Sequence, residues 1–148
     1  MARITKDEYY LGIAMAVSRR STCLRRRYGC VIVKDDIIIA TGYNGSPRGE
    51  ENCCDRGICY REGMAHNSGD YSECRSVHAE QNAMINAARK DMIGATLYLF
   101  GEEDVLLNKS KCKFWNGVKN AEPCPICKRM IKNAGIIRVV NMDGEICL

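Results

Sequence analysis

Ser76-Val77-His78-Ala79-Glu80-Gln81-Asn82 is the stretch on which the reading of the fold turns, and it makes sense only with a second one, Glu122-Pro123-Cys124-Pro125-Ile126-Cys127-Lys128. His78, Cys124 and Cys127 form a three-donor set suited to zinc, and Glu80 is a carboxylate two residues from the histidine. Structural zinc sites fill all four positions with protein, whereas catalytic sites keep one open for water. Three donors beside a carboxylate therefore read as an enzyme site. The rest of the chain then reads as a scaffold that brings residue 78 beside residues 124 and 127.

That scaffold follows from the flanking pattern. His78 and Glu80 fall in the first turn of a helix expected over residues 77–90, whose apolar side carries Ala83, Met84, Ala87 and Ala88. Cys124 and Cys127, three apart, open a second helix, with Pro123 and Pro125 where a missing amide proton costs nothing, and Gly135 ends it. Strands are expected at 28–33 and 37–41, joined as a hairpin across Lys34-Asp35-Asp36, then at 95–100 and 136–140. The first two are apolar on both faces, which implies a sheet covered by helices on both sides. One covering helix is expected over residues 7–19, opened by the capping-box spacing Thr5…Glu8 and carrying Tyr10, Ile13, Ala14 and Val17 on one face. Alternation of strand and helix places helix starts at strand C-terminal ends. Both metal-bearing helix N-termini can then face one crevice, where their dipoles favour thiolate. Glu80 is expected to be a proton carrier and not a ligand, since three donors suffice and such a site still lacks a general base.

At 148 residues the chain is expected to be one domain spanning 1–148, with a core that needs no staples. No apolar run approaches the length of a membrane span and the N-terminus lacks the apolar core of a signal peptide, so the expected location is the cytoplasm, with no membrane partner. Ten cysteines in a reducing compartment point to metal binding or burial and away from a disulfide framework. A net charge of +4 suits a small anionic substrate without demanding nucleic acid.

Three segments carry open readings. Arg25-Arg26-Arg27 reads either as a solvated charge run or as a phosphate clamp, because guanidinium forks bind phosphate oxygens bidentately. Residues 50–75 lose all periodicity and contain Cys53, Cys54, Cys59, Cys74 and His66. A second, structural zinc held by Cys23, Cys53, Cys59 and Cys74, with His66 as a substitute, stands against plain buried thiols. Residues 101–121 interleave Lys109, Lys111, Lys113, Phe114 and Trp115, which reads as an exposed hairpin before it reads as a base-stacking surface.

A lone Cys-x-x-Cys would also fit a redox pair or half a zinc ribbon. Joined to His78-x-Glu80 and to Pro123, it is the signature of zinc nucleobase deaminases. The chain resembles the cytidine deaminase-like superfamily and, within it, the deoxycytidylate (dCMP) deaminase family. Besides the two zinc motifs, the resemblance is carried by Arg25-Arg26-Arg27-Tyr28-Gly29-Cys30-Val31-Ile32-Val33, by Gly42-Tyr43-Asn44-Gly45-Ser46-Pro47 and by Asn52-Cys53-Cys54-Asp55. It implies an α/β fold, a three-layer α/β/α sandwich around a mixed sheet. It also implies zinc-dependent hydrolysis of dCMP to dUMP and ammonia, hydroxide attacking C4 while Glu80 shuttles protons. Position by position, His78, Cys124 and Cys127 would hold zinc, Asn44 would contact the sugar, and residues 25–27 would hold the 5′-phosphate. Ala79 would complete the substrate contacts. Cys23 and Cys53 match positions that help bind a second zinc in some relatives. The family further implies a homo-oligomer, often a hexamer, activated by dCTP and inhibited by dTTP, with Arg89 near a subunit contact. In many relatives the Pro-Cys motif follows the third strand at once, whereas here residues 101–121 intervene.

Two other readings remain. Within the same chemistry, the substrate is dCTP, free cytidine or deoxycytidine, or a base in RNA. In a different class, the chain is a zinc-stabilised nucleic-acid-binding module, which would have no use for Glu80.

Overall fold

The computed structural model describes residues 1–65, 68–69, 71–103 and 121–148. His66 and the basic, aromatic run containing Lys109, Lys111, Lys113, Phe114 and Trp115 lie outside the described residues.

In chain order the elements are α1 (Lys6–Ser18), β1 (Arg26–Lys34), β2 (Ile37–Tyr43), α2 (Cys53–Arg56), α3 (Ala79–Ile85), α4 (Arg89–Met92), β3 (Thr96–Glu103), α5 (Pro125–Ala134), β4 (Arg138–Asn141) and β5 (Gly144–Ile146). The strands form one sheet in the order β2-β1-β3-β4-β5. β3 and β4 run parallel and the other neighbouring pairs antiparallel, so the sheet is mixed. One face carries α1, whose Tyr10 and Ala14 pack on Val31, Val33, Tyr98, Phe100 and Val140. The other carries α3 and α5, with Ala79, Ala83 and Ile131 on Cys30, Ile32, Leu97, Leu99 and Val139. This is the three-layer α/β/α sandwich expected from the sequence.

Local chemistry sets the element ends. Thr5 Oγ1 accepts from Glu8 N at 3.2 Å while Glu8 Oε2 accepts from Thr5 N at 2.7 Å, closing the capping box at α1. The β1–β2 connection is a two-residue turn, Asp35 and Asp36 both having positive φ (50° and 64°), which matches the twist of the paired strands. Gly135, in the left-handed region at φ 86°, ends α5.

Three details depart from expectation. β1 begins at Arg26, two residues early, so that Arg26 and Arg27 belong to a strand and not to a loop. The helix expected over 77–90 is two pieces, because Ala88 is extended (ψ 141°) ahead of α4 and Asn86 turns its side chain to the sheet. β5 is an additional short strand. It spans three residues, starts on a glycine and is mostly exposed, so it has none of the β-branched patterning that marks the others.

Two glycines bring the helices down onto the sheet. A Cβ on Gly29 would run into the Ala14 carbonyl and the Ser18 amide of α1, and one on Gly42 into the Ala79 carbonyl and Ala83 amide of α3. Helix backbone thus lies against strand backbone on both faces. On the α3 side, that contact delivers His78 and Glu80 to the sheet.

Candidate active site

His78 is the N-cap of α3 and Cys124 the N-cap of α5. Cys124 Sγ accepts from the Cys127 amide at 3.4 Å, which turns both sulfurs of the α5 opening toward the histidine. His78 Nδ1 lies 3.6 Å from Cys124 Sγ and 3.5 Å from Cys127 Sγ. A zinc ion with Zn–N of about 2.0 Å and Zn–S of about 2.3 Å at tetrahedral angles separates N from S by about 3.5 Å. The donors therefore already stand at the spacing the ion requires. Among the described residues, this is the set of metal-ligating side chains whose ligand atoms all fall within 4.8 Å of one another.

The protonation chemistry agrees with that fit. Burial lowers the His78 pKa, keeping the imidazole neutral and available as a donor. Burial raises Cys127 well above the ordinary thiol value, and the neighbouring Glu80 and Cys124 push it further, so its thiolate needs a cation. Glu80 itself is 4% exposed, and burial lifts its carboxyl to about 7. It lies within electrostatic reach of Cys127, Cys30 and Tyr28.

The three arginines separate. Strand alternation puts Arg26 and Tyr28 on the α3–α5 face with Cys30 and Ile32, and Arg27 on the α1 face with Val31 and Val33. Arg27 stands opposite Glu102, whose carboxylate feels the charges of Arg19 and Arg27. Arg25 is committed to the cysteine loop, donating to the carbonyls of Arg61 at 3.1 Å and Met64 at 2.8 Å. Arg26 alone of the three lies on the face of the zinc donors, where its Nη1 reaches Tyr28 Oη at 3.4 Å.

Asn44 is buried and acts as a hub. Its Oδ1 accepts from Tyr28 N at 2.8 Å and from Ser21 Oγ at 2.6 Å, and its Nδ2 donates to Arg26 O at 2.9 Å. One amide hydrogen remains for a ligand. Ala79 has its side chain fully buried, which leaves only its backbone for contacts. Cys23, Cys53, Cys59 and Cys74 lie within electrostatic reach of one another, Cys53 feeling the other three and Cys23 feeling Cys59 and Cys74, but they do not stand at metal-ligand spacing as His78, Cys124 and Cys127 do. Cys54 stands apart, exposed. Arg89 reaches the Asn133 carbonyl at 3.4 Å and so ties α4 to the end of α5, away from the zinc donors.

Tyr28 is the site residue that sequence reasoning missed. Its ring lies where a Cβ on its cross-strand partner Gly101 would be, 2.6 Å from Cε1, so the missing side chain on β3 makes its berth. The pairing of an aromatic residue with a distant glycine is the signal, and it becomes visible only once the register is known.

Residues 4–143 match the family described as the cytidine and deoxycytidylate deaminase zinc-binding region. The chain belongs to that family. Among its relatives is the deoxycytidylate deaminase of Mycobacterium phage D29, 40% identical over 146 residues that make up 95% of this chain and 96% of the phage protein. The deoxycytidylate deaminase of Saccharomyces cerevisiae is 44% identical over 98% of this chain, but the match takes in only 41% of the yeast protein. Among solved structures, the dCMP deaminase of cyanophage S-TIM5 in complex with dCMP and dUMP superposes with a TM-score of 0.62 at 27% identity, covering 94% of this chain and 83% of the phage chain. The mixed sheet flanked by helices is thus the family's fold, and His78, Cys124 and Cys127 form a candidate metal site within the matched zinc-binding region. Among the described residues no helix is long and apolar enough to cross a membrane.

Proposed function

We propose that this chain hydrolyses dCMP to dUMP and ammonia. The observation that carries the reading is Glu80: a carboxyl sealed from solvent and lifted to about 7, on the same helix turn as the histidine of a three-donor zinc site. Zinc bound by His78, Cys124 and Cys127 supplies acidification of a water molecule. Glu80 would carry two protons in turn: one from the attacking water to the ring nitrogen N3, which keeps it in dUMP, and a second from the new C4 hydroxyl to the departing amino group, which leaves as ammonia as the C4 carbonyl forms. A pKa near the working pH suits a group that must both take and give a proton. A nucleic-acid-binding module would not bury an unmatched carboxylate beside its metal, because the burial costs stability and returns nothing to binding.

Arg26 is the phosphate-holding residue in this reading, since it shares the face of the zinc donors. Asn44 offers its remaining amide hydrogen to the sugar, and Ala79 its backbone to the base. Arg25 and Arg27 support the phosphate end from behind, through the cysteine loop and the α1 face. The decisive measurement is ammonia release over dCMP, dCTP, deoxycytidine and cytidine, with and without dCTP and dTTP as effectors. Arg26→Ala is expected to reduce kcat/KM on dCMP by about 10- to 100-fold, as for a lost charge-assisted pair, and to leave deoxycytidine nearly unchanged. Equal loss on both substrates, or preference for another substrate, overturns the monophosphate assignment.

The cysteine loop is assigned a second, structural zinc on Cys23, Cys53, Cys59 and Cys74, supported by the electrostatic interaction among the four thiols and by the preference of zinc for such a donor set. Metal analysis should return two zinc ions per chain, falling to one in Cys59→Ala. One per wild-type chain would refute that site. The protein is further expected to act as a single domain over residues 1–148, in the cytoplasm. It is expected to form a homo-oligomer, a hexamer in the family pattern, for which exposed Ile85, Ile126 and Met130 on the α3–α5 layer offer apolar contact area. Arg89 on the same layer is the residue proposed to carry effector response between subunits.

A further inference from the structure

β2 is the edge strand of the sheet, so half of its backbone groups have no strand to bond. The Asn44 amide donates to the Tyr28 carbonyl, and residue 42 stands opposite residue 30. In antiparallel pairing, residues 42 and 44 then direct their backbone groups to β1, and residues 41 and 43 direct theirs outward. Both outward carbonyls are taken by side chains of α3 and its C-cap. Asn82 Nδ2 donates to Tyr43 O at 2.8 Å, and Asn86 Nδ2 donates to Thr41 O at 3.1 Å. Arg48 Nη2 donates in turn to Asn86 Oδ1 at 3.1 Å, which fixes that amide's orientation.

The two rungs are commensurate. Four helix residues rise about 6 Å and two strand residues about 6.6 Å, so an asparagine at each helical turn meets every second carbonyl of a strand running the other way. Where α3 crosses Gly42 of β2, its Ala79 and Ala83 backbone lies directly on the strand, a contact that is close but smooth. Alanine on glycine has no knobs to resist sliding or rotation, whereas a hydrogen bond to a fixed carbonyl does. Asparagine is also a poor helix former, so Asn82 inside the seven-residue helix works against the local structure unless the sheet edge engages it, while Asn86 stands just past the helix as its C-cap.

We propose that Asn82 is a positioning residue for Glu80. The inference rests on the reading of Glu80 as the proton carrier. Glu80 lies between two anchors on one helix: His78, whose amide donates to Gln81 Oε1 at 2.9 Å and whose ring zinc would hold, and Asn82, fixed on the edge of β2. Without the second anchor, α3 pivots about His78 and carries the carboxylate off its line to the substrate. Asn86, one turn further from the chemistry, secures the far end of the helix and contributes to stability.

The test compares Asn82→Ala with Asn86→Ala, measuring kcat and KM on dCMP, zinc per chain and Tm. Loss of the Asn82 rung should lower kcat on the order of tenfold, as a misplacement of well under 1 Å does, with KM and zinc content within twofold of wild type. Asn86→Ala should lower Tm comparably yet keep kcat within about threefold of wild type. If Asn82→Ala does not fold, Asn82→Ser, whose shorter donor falls short of Tyr43, should show the same split with a smaller amplitude. Wild-type kcat in a folded Asn82 variant, or equal kcat losses in the Asn82 and Asn86 variants at equal Tm, overturns the proposal. Glu80→Gln, run alongside, separates the two layers: if it keeps turnover, the reading of Glu80 has failed, and if it is inactive while Asn82→Ala is normal, only the positioning role has.

Discussion

At the scale of single residues, burial does most of the chemical work. Glu80 and Cys127 are removed from water on the same side of the sheet, and burial pushes each toward its neutral form. Glu80→Gln keeps the shape and removes the titration. It is expected to cut kcat by roughly 10²–10⁴-fold while zinc content stays at the wild-type level, measured by ammonia release alongside metal analysis. These residues were legible because a metal site constrains identity and spacing together. The roles of the three arginines were not, since a run of like side chains has no pattern until the strand start is known. With β1 beginning at Arg26, period-two alternation assigns Arg26 to the site and Arg27 to the opposite face. Tyr28 stayed hidden for the same reason, its partner Gly101 being 73 positions away in the chain and adjacent only in the register.

At the scale of elements, the two glycine contacts make a matched pair with unequal consequences. Gly29 admits α1 on one face and Gly42 admits α3 on the other, each at the level of helix backbone. A methyl group at either position has no flexible side chain to displace, so the helix itself must move. Gly29→Ala and Gly42→Ala are each expected to cost about 1–3 kcal/mol in chemical denaturation. Only Gly42→Ala moves the helix that carries Glu80, so kcat should fall in that variant and hold in Gly29→Ala. Comparable kcat in the two would show that α3 tolerates displacement and that its fit to the sheet is not what aligns the catalytic group. Glycine in a β-branched run announced close approach without saying of what. The capping box at α1 and the glycine stop of α5 were readable because each is local to a few residues. The break between α3 and α4 was not, because Asn86 leaves the helix to meet Thr41, a tertiary contact.

At the scale of the whole molecule, one ionic network joins the start of the chain to its end. Arg138 on β4 forms a two-pronged pair with Asp7 on α1, at 2.9 and 2.7 Å, and bonds Glu145 on β5 at 3.0 Å, while Tyr98 on β3 donates to Asp7 at 2.9 Å. Nothing in the sequence marks a partner 131 residues distant, and β5, which supplies Glu145, is itself too short to announce. The Arg138 hydrogen bonds, joined by that of Tyr98, hold the Asp7 carboxyl below its ordinary value. A carboxylate depressed in the folded state contributes stability that is present above its unfolded pKa, near 3.9, and is lost as pH falls through the lower folded value. Asp7 and Arg138 are about a third exposed, so solvent screens the pair and Asp7→Asn should cost only about 1 kcal/mol at pH 7. Urea titrations of wild type and Asp7→Asn across pH should therefore run parallel from pH 7 down to about 5 and converge as pH falls past the unfolded value and through the lower folded one, where the wild-type carboxylate takes up its proton. A gap that persists unchanged at the acid end would mean that Asp7 acts through its shape and its bond from Tyr98, and that the charge pair closing α1 onto β4 contributes nothing measurable.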